Sequence, residues 1–387
     1  MNRIIFFFKT YLFRLFSIFF RFIPLQNIVI FDHFGGKGFG DDPKYIALNL
    51  LSRLKDYRLM WLVHDCKNTG LPQGIEPLKI ASLKACFYLS IAKVWVASAK
   101  GGTFHYVTKR KGQLYIQTWH CTFGLKKLGI DNDKSDISVR KRAIRDSAIT
   151  DIMYANSDYR VKKYQEIFWS FKGRVLKCDV PRVAFLMKND NIVKKKVFDY
   201  FSIPLDSKIV MYAPTFRKNN TIDTYLFDYH RIVSSLEKVS NKKYVFLLRL
   251  HPKLSNNPIV NNLPYDDKVI KASGYPDMAE LLNVTDLLIT DFSSSMFDAA
   301  IAKKAVMLFA KDYEQYLQKD RDLYFYPKDL PFPFSENEND LLRCIENFDR
   351  RMYEKDCDAF FKTVGLQDNG NGDQIIGDLI LKHLSIG

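Results

Sequence analysis

The alternation of apolar and polar stretches along the chain predicts repeated strand–helix units. Short runs rich in β-branched and aromatic residues predict strands at 28–32, 59–64, 94–97, 114–118, 152–155, 209–213, 245–250, 287–290 and 306–309. Segments with helical periodicity occur at 44–54, 82–91, 139–149, 229–239, 296–301, 341–348 and 375–383. Strands that alternate with helices favour parallel sheets, so we expect an α/β protein.

Polar stretches and turn signals divide this pattern into domains. The segments 188–196 and 204–208 interrupt the alternation, which then starts afresh. We therefore predict a helix over 1–24, a Rossmann-like domain over 25–185 and a second one over 186–350. The C-terminal helices of 351–387 could pack back on the first domain.

The first 24 residues are rich in Phe, Ile and Leu but carry regularly spaced polar residues. On a helix, one narrow polar stripe would hold Arg3, Thr10, Arg14, Ser17 and Arg21. This favours a cationic helix lying in a membrane interface. A spanning helix would place Lys9 or Arg14 near the bilayer centre, at about 2.5–3.5 kcal/mol each, and a helix packed on the protein is the third option. No small-residue cleavage site follows, so a secretory signal is disfavoured.

Four predicted strands end on polar groups that suit a phosphate ligand. These ends carry Thr118 and His120; Pro214 and Thr215; Arg249 and His251; and Asp291, Ser293 and Ser294. Ligands of parallel α/β sheets bind at such strand ends, so we expect two sheets facing each other across a ligand cleft. A single histidine of this kind would more often be structural.

Each group at these ends has a chemical use and a structural alternative. Ser293 and Ser294 could bind phosphate with the free N–H groups of the following helix, or one of them could simply cap it. Arg249 needs an anion, because an unpaired charge in an apolar strand is costly. That anion would be Asp291, Asp298 or a ligand phosphate. His120 and His251 could each act as a general base or as a phosphate donor.

Composition narrows the choice of ligand. The formal net charge of +15 over 387 residues predicts attraction to anions such as nucleic acid, anionic lipid or phosphorylated substrates. The basic residues are scattered without interleaved aromatic residues, which argues against nucleic-acid binding. The six cysteines form no CxxC pair, so they are expected to be reduced thiols of a cytosolic protein.

Three further segments have some features of a nucleotide, metal or lipid site. The glycines of 33–43 miss the spacing of nucleotide-binding loops. Asp131-Asn132-Asp133 resembles a metal–nucleotide DxD motif, but its polar surroundings favour a solvated loop, and nothing in the sequence requires a metal. The basic residues of 139–149 form either a charged helix face or a patch that meets acceptor or lipid.

With these residues in hand, the chain resembles the CDP-glycerol glycerophosphotransferase family, which includes teichoic-acid polymerases and primases and related capsule-polymer transferases. The matching stretches follow the family order through most of the chain: GKGFGDDPK at 36–44, QTWHCT at 117–122 with LKKLG at 125–129, PR at 181–182, YAPTFR at 212–217, LRLHP at 248–252 and TDFSSSMFD at 290–298.

The resemblance implies a GT-B-like fold of two facing Rossmann-type domains, with the acceptor on the first and the CDP donor on the second. It also implies a peripheral protein on the cytoplasmic face of the cell membrane that needs no cofactor. Such an enzyme transfers glycerol phosphate, or a related alditol phosphate, from CDP-glycerol or another CDP-alditol to a hydroxyl of a lipid-linked acceptor. CMP is released as a teichoic-acid-like or capsule polymer is built.

The resemblance also implies the site residues. The histidine that the family needs for catalysis falls on His120, which we expect to act as the base, with His251 as the second candidate. The expected substrate-binding residues are Trp119, Cys121, Thr122, Phe123, Arg182, Pro214, Thr215, Arg249, Leu250, Ser293, Ser294 and Asp298. Two alternatives remain: a GT-B glycosyltransferase that uses a nucleotide sugar, and a non-catalytic basic protein bound to membranes.

The chain departs from the family pattern at three places. Cys121 replaces the usual glycine after the histidine, and Phe123-Gly124 replaces the usual proline. Val183-Ala184 replaces the usual Asn-Asp after Pro-Arg. The first two changes bear on the path of the loop beside His120, and the third bears on the identity of the donor.

Overall fold

The structure is a computed structural model that describes residues 12–53, 56–67, 69–100, 104, 107–132, 137–188, 190–217, 222–251, 254, 257–319 and 322–385. The chain divides into two compact units. Unit 1 comprises the described residues of Met1–His120, Gly129–Ala184 and Gln367–Gly387, and unit 2 those of Cys121–Leu128 and Phe185–Leu366. The chain thus enters unit 2 after Ala184, and its last segment belongs to unit 1.

Parallel strands form the centre of each unit. Those of unit 1 are β1 (Gln26–Asp32), β2 (Arg58–Val63), β3 (Ile75–Lys79), β4 (Ala92–Ala97), β5 (Leu114–Gln117), β6 (Ile152–Ala155) and β7 (Arg174–Lys177). Those of unit 2 are β8 (Lys208–Tyr212), β9 (Tyr244–Leu248), β10 (Val269–Lys271), β11 (Leu287–Thr290), β12 (Ala305–Phe309) and β13 (Phe334–Ser335).

Within the described residues, the strand orders are β3-β2-β1-β4-β5-β6-β7 and β10-β9-β8-β11-β12-β13, and every pairing is parallel. The central strands contain continuous apolar runs, such as IVIF in β1 and VWVA in β4, because both of their faces are buried there. Successive strands are added on one side of β1 up to β3 and on its other side from β4 onward, and the same change of side occurs between β8 and β11. Ligands of such parallel sheets bind beside these topological switch points. The predicted α/β class with parallel sheets is confirmed.

Helices connect the strands. They are α1 (12–19), α2 (Asp41–Leu51), α3 (Leu83–Ile91), α4 (Ile137–Ile149), α5 (Asp158–Ile167), α6 (Pro181–Leu186), α7 (Asn191–Phe201), α8 (Tyr229–Ser240), α9 (Pro258–Asn261), α10 (Met278–Val284), α11 (Ser295–Ile301), α12 (Tyr313–Lys319), α13 (Glu338–Glu346), α14 (Arg350–Thr363) and α15 (Gly372–Leu384). Of the predicted C-terminal helices, α14 belongs to unit 2 and α15 to unit 1.

The N-terminal helix α1 has one packed face and one exposed face. Phe13 is buried in the core cluster of unit 1, where Phe16 and Phe20 also pack. Large apolar side chains on the other side of α1 are exposed, Leu15 by 54%, Ile18 by 51% and Phe19 by 61%, and so is Phe22, by 89%, in the 3-10 turn Phe20–Phe22 that follows α1. Arg3, Thr10 and Lys9 lie outside the described residues, and Ser17 of the predicted polar stripe is buried.

Arg110 holds the end of this N-terminal segment in place. Its guanidinium donates to the carbonyl oxygens of Arg21 at 3.0 Å, Ile23 at 2.8 Å and Ser90 at 3.0 Å. Basic side chains commonly satisfy the carbonyl groups left unpaired after a helix. Among the described residues, no helix has both the length and the apolar character needed to cross a bilayer.

Candidate active site

His120 lies at the carboxyl end of β5, three residues after the strand ends, and its side chain is exposed. Its Nδ1 is 3.0 Å from the carbonyl oxygen of Ser98, which follows β4. A carbonyl oxygen can only accept, so Nδ1 must carry the hydrogen and donate it. In the neutral ring the lone pair is therefore on Nε2, the atom that can take a proton.

Aromatic rings flank His120. The Trp119 ring stacks on it with centroids 4.3 Å apart, and the Phe34 ring lies 4.9 Å away at a tilt. The main-chain N–H of Phe34 also donates to the Ser98 hydroxyl at 3.2 Å. The glycine-rich loop between β1 and α2 thus contacts His120 through Phe34, although its glycines do not match a nucleotide-binding motif.

The backbone beside His120 is strained and supported from within unit 1. Trp119 has φ of +57°, a left-handed conformation that is costly for a bulky residue. Its N–H donates to the Gln117 side-chain oxygen at 3.0 Å. Gln117 in turn donates to Tyr115, whose hydroxyl donates to the buried Asp146 at 2.9 Å. This network holds the turn that presents His120.

A buried lysine adjoins the same network. The Lys100 ammonium lies 3.7 Å from Asp146 Oδ1 and 4.4 Å from the centre of the Phe168 ring, against which Trp119 also packs. Burial lowers the pKa of Lys100 to about 8, although Asp146 opposes this shift. Lys100 was not identified from the sequence, because its setting depends on residues of α4 and of the segment after α5.

The surroundings of His120 favour its neutral form. Its ring reaches solvent, but the protein around it disfavours the charged form, and this desolvation lowers the pKa of His120. Asp41 and the Ser98 carbonyl oppose the shift, whereas Arg182 and Arg160 add to it. A histidine that is neutral near pH 7 is suited to accept a proton.

Arg182 is held by two carboxylates at the start of α2. Its Nη1 lies 3.1 Å from Asp41 Oδ1 and 3.1 Å from Asp42 Oδ2, and its own N–H donates to Asp42 Oδ1 at 2.9 Å. The Tyr154 hydroxyl donates to Asp42 as well, at 3.1 Å. The predicted donor residue Arg182 therefore lies in unit 1, is buried, and already has partners that a phosphate would have to replace.

The segment after His120 leaves unit 1. Cys121, Thr122 and Phe123 are buried and belong to unit 2. The Phe123 ring packs 5.1 Å from Phe297 and 6.1 Å from Phe360. Its side chain is thus a packing residue of unit 2, where an apolar ring replaces the proline that the family pattern predicts.

The chain returns to unit 1 at Gly129. This glycine has φ of +60°, and a Cβ placed on it would lie 1.8 Å from the carbonyl oxygen of Ile167. Only glycine can satisfy both the positive φ and this close approach.

In unit 2, Pro214 and Thr215 follow β8 at the switch point. The Thr215 N–H donates to Asp291 Oδ1 at 2.8 Å, which ties this loop to the end of β11. Pro214 is buried and Thr215 partly exposed. The predicted strand ends at Thr215 and Asp291 are therefore adjacent in the structure.

Arg217 is a residue whose role the sequence did not reveal. Its guanidinium donates to Asp291 Oδ2 at 2.7 Å and to both oxygens of Asp312, at 2.6 and 2.8 Å. It also donates to the Thr215 carbonyl at 2.6 Å. Arg217 thus stabilises the loop that contains Thr215. It also forms the ion pair with Asp291, which the sequence offered as one possible partner of Arg249.

The sequence predicts Arg249 within a strand over 245–250, but β9 ends at Leu248 and Arg249 follows it. Its Nη1 donates to the carbonyl oxygens of Ala272 at 2.8 Å and Tyr275 at 2.9 Å. Within the described residues it forms no ion pair. Burial lowers the pKa of Arg249, and the negative charge of Asp277 opposes this shift. A half-buried guanidinium in this state is suited to an anionic ligand.

The neighbours of Arg249 differ in what they can offer a ligand. His251 is exposed, and its ring lies 5.0 Å from that of Phe216. The Leu250 side chain is buried in the core cluster of unit 2, so only its main chain could face a ligand. Pro252 lies outside the described residues.

Of the two serines between β11 and α11, Ser293 accepts from the main-chain N–H of Ser295 at 3.4 Å, whereas Ser294 forms no such bond. Ser294 precedes α11 but makes no side-chain capping bond, and its hydroxyl has no hydrogen-bond partner among the described residues. The Ser293 hydroxyl is 2.9 Å from that of Ser295. Asp298 is buried in the first turn of α11. The Ser294 hydroxyl is therefore available to a ligand.

The Asp131-Asn132-Asp133 segment shows no metal-binding arrangement in its described part. Asp131 forms an ion pair with Lys163 at 3.4 Å, and Asp133 lies outside the described residues. Across the part of the chain that the structure describes, no group of three His, Cys, Asp or Glu side chains is placed to hold a metal ion.

Comparison with known proteins gives consistent matches. A family model described as CDP-glycerol:poly(glycerophosphate) glycerophosphotransferase matches residues 15–382. A teichoic acid poly(glycerol phosphate) polymerase of Staphylococcus epidermidis is 32% identical over 371 aligned positions, and the alignment covers 92% of this chain and 50% of that protein. A protein of the same description from Bacillus spizizenii is 27% identical over 400 aligned positions, and the alignment covers 98% of this chain and 99% of that protein.

A solved structure shows the same likeness in three dimensions. A variant of the wall teichoic acid polymerase TagF soaked with CDPG matches with a TM-score of 0.84 and 30% identity, over 97% of this chain and 94% of that chain. The chain thus spans half the length of the Staphylococcus epidermidis protein and nearly all of the Bacillus spizizenii protein.

Proposed function

Because this chain belongs to the CDP-glycerol:poly(glycerophosphate) glycerophosphotransferase family, we propose that it transfers glycerol phosphate, or a related alditol phosphate, from a CDP-activated donor to a hydroxyl of a lipid-linked acceptor. CMP is the second product, and the polymer is a teichoic-acid-like or capsule polymer. The observation that carries the proposal is the state of His120: its Nδ1 donates to the Ser98 carbonyl, so Nε2 can accept a proton.

In the proposed reaction, His120 Nε2 takes the proton of the acceptor hydroxyl. The acceptor oxygen then attacks the phosphorus distal to cytidine. A new P–O bond forms as the bond from that phosphorus to the bridging oxygen breaks, and CMP leaves with the electron pair. A general base typically contributes about 10²–10⁴ in rate. The rest of the catalysis of such a transfer comes from positioning and charge stabilisation.

The charges near His120 fit this role. Its lowered pKa keeps the imidazole neutral before the reaction, while the negative charge of Asp41 favours the imidazolium that forms during it. We therefore assign Asp41 a supporting electrostatic role and Arg182 the task of holding Asp41. Arg182 also stays a proposed contact of the donor, and Trp119 a proposed contact of the substrate.

The donor is proposed to bind at the strand ends of unit 2. Thr215, Ser293 and Ser294 offer hydroxyl groups, and Arg249 and His251 offer charge or ring N–H donors. Main-chain groups of Pro214 and Leu250 are proposed to complete the contacts. The remaining proposed contacts are Cys121, Thr122, Phe123 and Asp298. The donor would be held without a metal, since cationic side chains can neutralise its phosphates.

The acceptor side is proposed to lie at a membrane. The exposed apolar side chains of α1 and the basic residues Arg140, Lys141 and Arg142 of α4 are both on unit 1. Apolar groups combined with basic ones favour an anionic lipid surface. We propose a peripheral enzyme on the cytoplasmic face of the cell membrane, with a GT-B-like fold.

The proposal is tested by product analysis with purified protein. CDP-glycerol, CDP-ribitol and several nucleotide sugars are each incubated with the protein and a lipid-linked acceptor, and the released nucleotide is identified. We expect CMP from a CDP-alditol and a matching gain in acceptor mass. Absence of CMP from every CDP-alditol would refute the proposal. Release of UDP from a nucleotide sugar would instead indicate a glycosyltransferase.

A further inference from the structure

We propose that Lys126 is an additional donor-binding residue, whose ammonium group contacts the diphosphate of the nucleotide donor beside Thr215. The proposal rests on the proposed function for the class of donor. Lys126 Nζ lies 3.4 Å from Thr215 Oγ1, and both residues belong to unit 2. Lys126 lies in the LKKLG stretch at 125–129, which matches the family pattern but was not among the expected substrate-binding residues.

Main-chain hydrogen bonds fix the position of Lys126. The Lys127 N–H donates to the Asp322 carbonyl at 2.9 Å, and the Tyr324 N–H donates to the Leu125 carbonyl at 2.7 Å. These bonds form an antiparallel bridge between Lys126 and Leu323. Successive side chains of an extended segment point to opposite sides. The side chains of Lys126 and Lys127 therefore point in opposite directions from the bridge. Lys126 reaches Thr215, and Lys127 pairs with the exposed Asp322.

The hydrogen bonds of Thr215 leave one group for a ligand. Its N–H is taken by Asp291, and its carbonyl oxygen accepts from Arg217 and Tyr225. Its hydroxyl oxygen accepts from Lys126. A hydroxyl that accepts in this way still has its own hydrogen to donate. A phosphate oxygen placed here would receive that hydrogen and would lie next to the Lys126 ammonium.

The charge behind Thr215 explains why a cation is needed there. Arg217 is buried with the two carboxylates of Asp291 and Asp312. When both carboxylates are ionised, this group carries a net charge of −1, directly behind the loop that would meet a diphosphate. Like charges repel strongly where water is excluded. The Lys126 ammonium offsets this charge on the ligand side.

The test measures binding of CDP and CDP-glycerol by calorimetry in four proteins: the wild type, Lys126→Met, Lys126→Arg and Lys127→Met. A charge-assisted hydrogen bond to phosphate predicts a Kd about 10-fold to 100-fold higher for Lys126→Met. We expect Lys126→Arg to recover most of the affinity, and the matched control Lys127→Met to bind within twofold of the wild type. Cytidine alone should bind Lys126→Met and the wild type equally.

Each outcome of these binding measurements supports or overturns the role of Lys126 in donor binding. Binding of CDP by Lys126→Met within twofold of the wild type would overturn the inference, as would equal losses in Lys126→Met and Lys127→Met. Failure of the wild type to bind CDP would overturn it too. If the wild type binds CDP-glycerol with the expected Lys126 dependence but releases no CMP, the inference stands and the proposed reaction fails. Thermal unfolding of each variant shows whether it is folded.

Discussion

Replacing Arg217 by Met should strongly destabilise unit 2. The methionine keeps an apolar chain beside the stacked rings of Phe292 and Tyr316, whose centres lie 5.2 and 4.8 Å from the guanidinium carbon. It removes the cation that joins Asp291 to Asp312. The buried carboxylate of Asp291 and the partly exposed carboxylate of Asp312 are then left without their charged partner, and the loop of Thr215 loses a hydrogen bond.

The size of the effect follows from burial. The side chains of Arg217 and Asp291 are each 1% exposed and lie 2.7 Å apart. Removing one partner of a buried ion pair costs about 3–5 kcal/mol. For a unit of this size, each kcal/mol lowers the midpoint of thermal unfolding by about 2–4 °C, so we expect a shift of roughly 6–20 °C.

The assay is calorimetric unfolding of the wild type, Arg217→Met and the control Arg58→Met. Arg58 pairs with Glu76 at 2.7 Å, but both side chains are more than 40% exposed (43% and 44%). An exposed pair contributes about 0–1 kcal/mol, so the control should unfold close to the wild type. A second variant that combines Arg217→Met with Asp291→Asn and Asp312→Asn should recover part of the loss. Equal midpoints for Arg217→Met and Arg58→Met would refute the reasoning.

Three further predictions concern pH and the membrane. Since the pKa of His120 lies below its ordinary 6.5 and its neutral form is the base, kcat/KM should rise with pH through a transition below 6.5; a transition above 7 would contradict this. Burial raises the pKa of Asp368 to about 6 in the folded protein. The folded state therefore binds this proton more tightly than the unfolded state, and the stabilisation present at low pH is lost as the pH rises from about 4 through 6. The stability of Asp368→Asn relative to the wild type should increase across this range, and a constant difference would refute it. Changing Leu15, Ile18, Phe19 and Phe22 together to Ser should lower binding to anionic vesicles at least 10-fold without unfolding the protein, because it removes exposed apolar area only; unchanged binding would exclude α1 as the anchor.

The central strands could be predicted because each contains a continuous apolar run. β1, β4 and β11 are buried on both faces over most of their length, so each contains an apolar run: IVIF in β1, VWVA in β4 and LLI in β11. The outer strands β3 and β7 were missed. Their sequences IEPLK and RVLK are short and polar because an edge strand is only partly covered. Sequence pattern therefore predicts the middle of each sheet better than its edges.

The sequence predicts those site residues that directly follow a strand. It does not predict the roles of residues whose partners are far away along the chain. His120 and Thr215 come shortly after the apolar runs of β5 and β8, so their position at a strand end can be predicted from the sequence. Arg217 owes its role to Asp312, which is 95 residues away, and Arg182 owes its partners to Asp41, which is 141 residues away. No local pattern records such pairs. Likewise, nothing in the sequence shows that Cys121–Leu128 leaves unit 1 for unit 2.

The most direct test of the account compares donor binding with turnover in His120→Gln. The control is His33→Gln, a histidine of the neighbouring loop whose Nδ1 is 3.0 Å from the Lys37 carbonyl. We predict that His120→Gln binds CDP-glycerol within twofold of the wild type while its kcat for CMP release falls by about 10²–10⁴, and that His33→Gln keeps both values within threefold. A kcat for His120→Gln equal to that of the wild type would contradict the claim that His120 is the base.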